Sequence, residues 1–119
     1  MNPLPVPVQP TVYLALEPVD FRLGINGLCA LVQHPLQRNA SDPALFVFSN
    51  KRRNRIKLLY WYRNGFCLWL KQLEEDRFHW PRASGAAITL SVQQLEWLLA
   101  GIDISKITPH QSRCYDLLT

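Results

Sequence analysis

The signatures of catalysis are missing from this 119-residue chain. It has no glycine-rich dinucleotide fingerprint, no phosphate-binding P-loop and no nucleophile-elbow serine. Cysteine is scarce. Cys29, Cys67 and Cys114 are odd in number and far apart, and none stands at metal-ligand spacing from His34, His79 or His110. That excludes a disulfide framework and a zinc finger, and it fits reduced thiols in a cytoplasmic protein. No apolar run approaches the ~20 residues of a membrane span. The N-terminus carries neither the basic nor the apolar region of a secretory signal. A cytoplasmic protein without membrane partner or cofactor is expected. Acids are also few, and Glu74, Glu75 and Asp76 form their only cluster. Consecutive side chains at a turn diverge, whereas a two-metal nuclease needs carboxylates converging from separate elements.

What is present is concentrated in residues 44–82. That segment holds nine Lys/Arg against three acids, a net +6, while the remainder of the chain is −2. A basic half on a near-neutral body is an argument about partners and not about fold. Within it, apolar β-rich runs alternate with polar breaks. The first break, residues 50–55, contains Lys51, Arg52, Arg53 and Arg55. The second is Asn64-Gly65, the strongest short-range hairpin signal, because a type I′ turn needs φ > 0 at both central residues.

Four prolines in residues 1–10 exclude a helix there and predict an extended, disordered arm. A strand is expected over residues 11–16. The apolar spacing of Phe21, Ile25, Leu28, Leu31 and Val32 predicts a helix over residues 21–34 with Asp20 as N-cap. Gly24 and Gly27 weaken it, so either the backbone is closely approached there or the helix starts later. Strands follow over 44–48, 55–63 and 66–73, with a further short one at 78–80. With Asn64-Gly65 as the loop, Arg63 pairs with Phe66, Tyr62 with Cys67 and Tyr60 with Trp69. One face then carries Ile56, Leu58, Tyr60 and Trp69, the other Leu59, Trp61, Phe66 and Leu68. Both are largely apolar, so either helices cover both or one face receives a partner. Ser91 and Gln94 match a capping box that opens a helix over 92–100, with Gly101 at its C-terminal stop. The expected fold is a single α+β domain over residues 11–103. It consists of an antiparallel β meander of three to five strands packed with two helices, followed by a tail at 104–119.

The order of these blocks resembles a known family. Residues 17–28, 45–61, 64–66, 71–73, 77–81 and 94–101 are similar to blocks of the small accessory protein encoded by the second reading frame of the sixty-six family of bacterial insertion sequences, often labelled transposase B-type. The resemblance covers residues 12–103. It departs at Phe21 and Leu23, where the family usually has Met and Lys, and at Gln72, where it has Arg. It implies an accessory factor of transposition acting beside a separate DDE-type transposase, with no catalytic residues to carry over.

Two functional readings remain. In one, Lys51, Arg52, Arg53, Arg55, Lys57 and Arg63 bind DNA phosphates through a cationic hairpin tip, and the chain also or instead contacts the transposase. In the other, the chain is a protein–protein adaptor and the basic turn is solvated surface charge. Trp61 and Trp69 could stack on unpaired bases, but large aromatics on a sheet usually pack into the core. On either reading the protein has no chemistry of its own. Supercoiled plasmid incubated with pure protein and Mg²⁺ or Mn²⁺ should stay intact; nicking that a carboxylate substitution abolishes would refute this.

Overall fold

Every residue of the strand Ala44–Ser49 is buried, so both of its faces must be covered. The computed structural model describes residues 9–106. Its elements are β1 (Thr11–Ala15), α1 (Ile25–Gln33), β2 (Ala44–Ser49), β3 (Arg55–Tyr62), β4 (Gly65–Gln72), β5 (Ala87–Leu90) and α2 (Val92–Leu99), closed by a 3-10 turn at Ile104–Lys106. The strands form one sheet in the order β4-β3-β2-β1-β5. Residues 1–8 of the arm and 107–119 of the tail lie outside the described residues.

The α+β class holds, and β2, β3 and β4 form the antiparallel meander. One pairing departs from it. β1 lies parallel to β2, with Val12 opposite Leu45, and antiparallel to β5 on its other side. Parallel neighbours need a crossover, which α1 supplies. α1 packs Leu28 and Val32, one helical turn apart, against Phe46, Phe48 and Leu59. On the opposite face α2 lays Leu95 and Leu98 over Leu45, Val47, Ile56 and Leu58. Helices therefore cover both faces. The second core also reaches past Asp103, since Ile104 is 4% exposed.

Local chemistry explains where the helices begin. Asp20 does not cap α1. Its Oδ1 accepts from the Arg22 backbone N–H, and its carboxylate pairs with the Arg22 guanidinium. Those hydrogen bonds hold the Asp20 pKa down to about 2. The carbonyls of Phe21 and Leu23, which a helix from residue 21 would use in its ladder, accept instead from Lys57 Nζ at 2.8 and 2.9 Å. The helix consequently starts at Ile25, behind an uncapped Gly24. A Cβ at Gly27 would sit 2.7 Å from Leu23 Cδ2, so the missing side chain allows this turn to fold back. At α2 the capping box is complete: Gln94 N–H donates to Ser91 Oγ at 3.0 Å, and Ser91 N–H to Gln94 Oε1 at 2.9 Å.

Two expectations about strands fail. The segment at 78–80 does alternate, with Phe78 buried, His79 exposed and Trp80 half-buried. It joins no ladder, because it crosses the end of the sheet: Phe78 N–H donates to Arg53 O, and Trp80 Nε1 to Ala15 O. The fifth strand is β5 instead. The second correction concerns register. Tyr62 pairs with Gly65 and Tyr60 with Cys67, so the two-residue loop is Arg63-Asn64. Arg63 has φ +60° while Asn64, the second loop residue, lies outside the positive-φ region, as does Gly65, the pattern of a type II′ turn. The slip is by two residues, an even number, so the division of side chains between faces survives it.

Arg63 in the left-handed region costs ~1–2 kcal/mol, part of which glycine's looser unfolded chain offsets. Arg63→Gly should therefore raise stability by about 0.5–1 kcal/mol, while Gly65→Val, which meets nothing within 4 Å, should be neutral or better. Urea denaturation checks both; a large loss at Gly65 would restore the Asn64-Gly65 loop.

Candidate nucleic-acid interface

The connection between β2 and β3 is stitched by asparagine side chains. Asn50 Oδ1 accepts from the backbone N–H groups of Asn54 and Arg55 at 3.1 and 3.0 Å, and Asn50 Nδ2 donates to Asn54 Oδ1 at 2.7 Å. Asn50 O accepts from Arg53 N–H at 3.1 Å. Arg53 itself has φ +59°. Asn54 O takes the N–H of Leu73, and Arg53 O takes that of Phe78. The turn is thus fixed to the chain leaving β4 as well as to its own strands.

The six cations expected to act together separate into three groups. Lys51, Arg52 and Arg55 are exposed on the turn. Arg53 is turned inward: its guanidinium donates to Ser49 Oγ and to Leu16 O, and it stacks 5.0 Å from the Trp80 ring. Burial lowers its pKa, opposed by the charge of Glu17. Lys57 is likewise committed to the Phe21 and Leu23 carbonyls, with its ammonium 4.7 Å from the Phe21 ring. Arg63 stands at the far end of β3, a strand of eight residues, roughly 25 Å from the turn at ~3.3 Å per residue.

Two cations from outside the original set join the exposed group. Arg77 shares a shallow concavity with Arg52, Asn54 and Asp76. It also lines a larger open cleft of about 800 Å³ with Arg82, His79 and Trp80. Arg77 follows directly on the acidic run Glu74-Glu75-Asp76, and its position beside the turn is visible only once Phe78 is docked on Arg53. The ion pairs among the described residues are Arg22–Asp20 and Lys106–Asp103, so Lys51, Arg52, Arg55, Arg77 and Arg82 have no carboxylate partner there. Trp61 and Trp69 lie on opposite faces and are half-buried. Trp61 packs edge-on to Phe66 at 4.9 Å, and Trp69 packs on the α2 side. Among the described residues no group of three or more His, Cys, Asp or Glu could hold a metal, and no helix is long and apolar enough to cross a membrane.

The arrangement is an unpaired cationic rim on a rigid turn, set in a chain whose motif order already resembles an insertion-sequence protein. A family model described as "IS66 Orf2 like protein" matches residues 10–109. The chain belongs to the IS66 Orf2-like family. Its relatives include two proteins of Sinorhizobium fredii (strain NBRC 101917 / NGR234). The first, "Uncharacterized protein y4hO", is 40% identical over 77% of this chain and 80% of its own length. The second, "Uncharacterized protein y4jC", is 36% identical over 81% and 82%. No solved structure matches. Membership of the IS66 Orf2-like family carries an accessory role in an insertion sequence.

The division of the cations is testable by stability alone. Arg53→Ala should cost about 2 kcal/mol and Lys57→Met about 1–2, since each leaves partners of a charged donor unsatisfied. Lys51→Ala should stay within about 0.5 kcal/mol, as exposed positions do. Equal effects in chemical denaturation would show that Arg53 and Lys57 are as free as Lys51.

Proposed function

We propose that this chain is a non-enzymatic, cytoplasmic accessory factor of transposition that binds the element's DNA, its DDE-type transposase, or both, through the rim formed by Lys51, Arg52, Arg55 and Arg77. The observation that carries this reading is that these cations have no carboxylate partner among the described residues and stand on or beside a turn tied down by Asn50. Such a rim attracts a polyanion by Coulomb force and counterion release, with no base readout required. A rigid turn also loses little conformational freedom on binding. Arg53 and Lys57 support the rim from behind, and Arg63 takes no part in it.

Neutralising Lys51, Arg52 and Arg55 together should weaken binding of the full chain to duplex DNA about equally for every sequence. The dependence of log K on log salt should flatten by up to about three phosphates' worth, at ~0.9 each. Fluorescence anisotropy over a salt series, with and without transposase, measures this. Parent protein that has no salt-sensitive DNA affinity in either condition, yet holds the transposase, would leave only the adaptor reading.

A further inference from the structure

β4 is the edge of the sheet, and its outer side pairs with nothing among the described residues. It is not built like a protected edge. Soluble proteins blunt exposed edges with short strands, proline, outward charge or bulges. The opposite edge, β5, is four residues long, whereas β4 runs for eight residues in unbroken register with β3. It contains no proline, and its one charge, Lys71, donates its ammonium to Leu99 O at 2.8 Å. Leu70 is 54% exposed, the largest value among the exposed large hydrophobics, and Phe66, Cys67, Leu68 and Trp69 around it are half-buried.

We infer that β4 pairs antiparallel with β4 of a second copy of this chain, about a two-fold axis at Leu68, joining the two sheets into one of ten strands. The choice of occupant follows from charge and register. DNA is a poor match for an apolar edge whose lysine is spent internally. A second copy is a good match, because the strand is complementary to itself. With Leu68 opposite its own counterpart, Phe66 faces Leu70 and Cys67 faces Trp69, each twice by symmetry, and Lys71 faces Gly65. Apolar pairs thus fill the centre, and no cation faces a cation. An axis at Cys67 would set Arg63 against Lys71, and one at Trp69 would set Phe66 against Gln72 and Cys67 against Lys71. An even shift is required in every case, so that like faces stay together. The Leu68 register is therefore the one that the side chains support.

Light scattering and sedimentation of the full chain without DNA test the inference, with a mass twice 13.8 kDa expected. Leu70→Lys places an ammonium against Phe66 at both ends of the junction and should weaken dimerisation about 100-fold. Because Leu70 is exposed, the melting curve of the monomer should hardly move. Val92→Lys, at an exposed position on α2, should leave the dimer intact. Leu68→Cys should gain an oxidative cross-link that the parent lacks, since residues directly opposite across an edge pair fall within disulfide reach. A monomer at every soluble concentration would overturn the inference. So would a dimer that is indifferent to Leu70→Lys, or that yields no cross-link at residue 68. Amide protection of 65–72 that arises only when transposase is added would also overturn it and give the edge to the transposase instead.

Discussion

A strand that is dry on both faces has to be roofed twice, and β2 imposes that requirement on the rest of the chain. Its six consecutive buried residues cannot lie at the surface of a half-solvated sheet. Phe46 and Phe48 call for one cover and Leu45 and Val47 for another. α1 and α2 meet those demands with short apolar seams, Leu28 with Val32 and Leu95 with Leu98. Burying each such side chain contributes ~1.5–3 kcal/mol, so two helices of nine and eight residues that would not persist alone are held by the sheet. Lys57 serves the same end from the polar side. By occupying the Phe21 and Leu23 carbonyls it delays α1 until the helix can lie flat on the sheet.

A run of basic residues in sequence is not a patch of charge in space. The left-handed backbone at Arg53 and the Phe21 and Leu23 carbonyls that take up Lys57 send neighbouring cations to different tasks. Arg53 ties together Leu16, Ser49 and Trp80, three segments that otherwise meet only at the end of the sheet. That clamp brings the 77–82 segment beside the turn, so Arg77 reaches the rim because another arginine has left it. Family membership places the chain in an insertion sequence; the rim supplies a physical means by which such a protein could engage a polyanion.

Much of this architecture was legible beforehand, and the failures have definite causes. The faces of β3 and β4 could be read because side-chain alternation has a period of two, which even a misplaced turn respects. The turn itself was misread because Asn-Gly is the favoured dipeptide for a type I′ loop, whereas the chain uses Arg63 in a II′ geometry one residue earlier. Ser91 and Gln94 announced α2 by chemistry that is entirely local. Nothing local announces that β1 runs parallel to β2, or that four residues, Ala87–Leu90, complete the sheet. The alternation of Phe78, His79 and Trp80 was correct, but alternation cannot say whether a ladder is within reach. For the site, the exposed turn was legible from composition, and the diversion of Arg53 and Lys57 was not, since the backbone carbonyls that hold them, of Leu16, Phe21 and Leu23, lie more than thirty residues away in sequence.

The placement of β1 between β2 and β5 has a consequence for how the molecule is made. β1 is the first of the described strands in sequence, yet its two neighbours come later, and the second of them, bound through Val12 opposite Leu90, comes near the end of the described residues. Contacts of such long sequence separation raise the contact order and slow folding. Until β5 arrives, β1 has a bare hydrogen-bonding edge and unroofed Val12 and Leu14, the kind of surface on which nascent chains aggregate. The nascent chain must therefore remain protected until β5 has been translated. Termination between β4 and β5 would leave β1 as an open edge of the sheet.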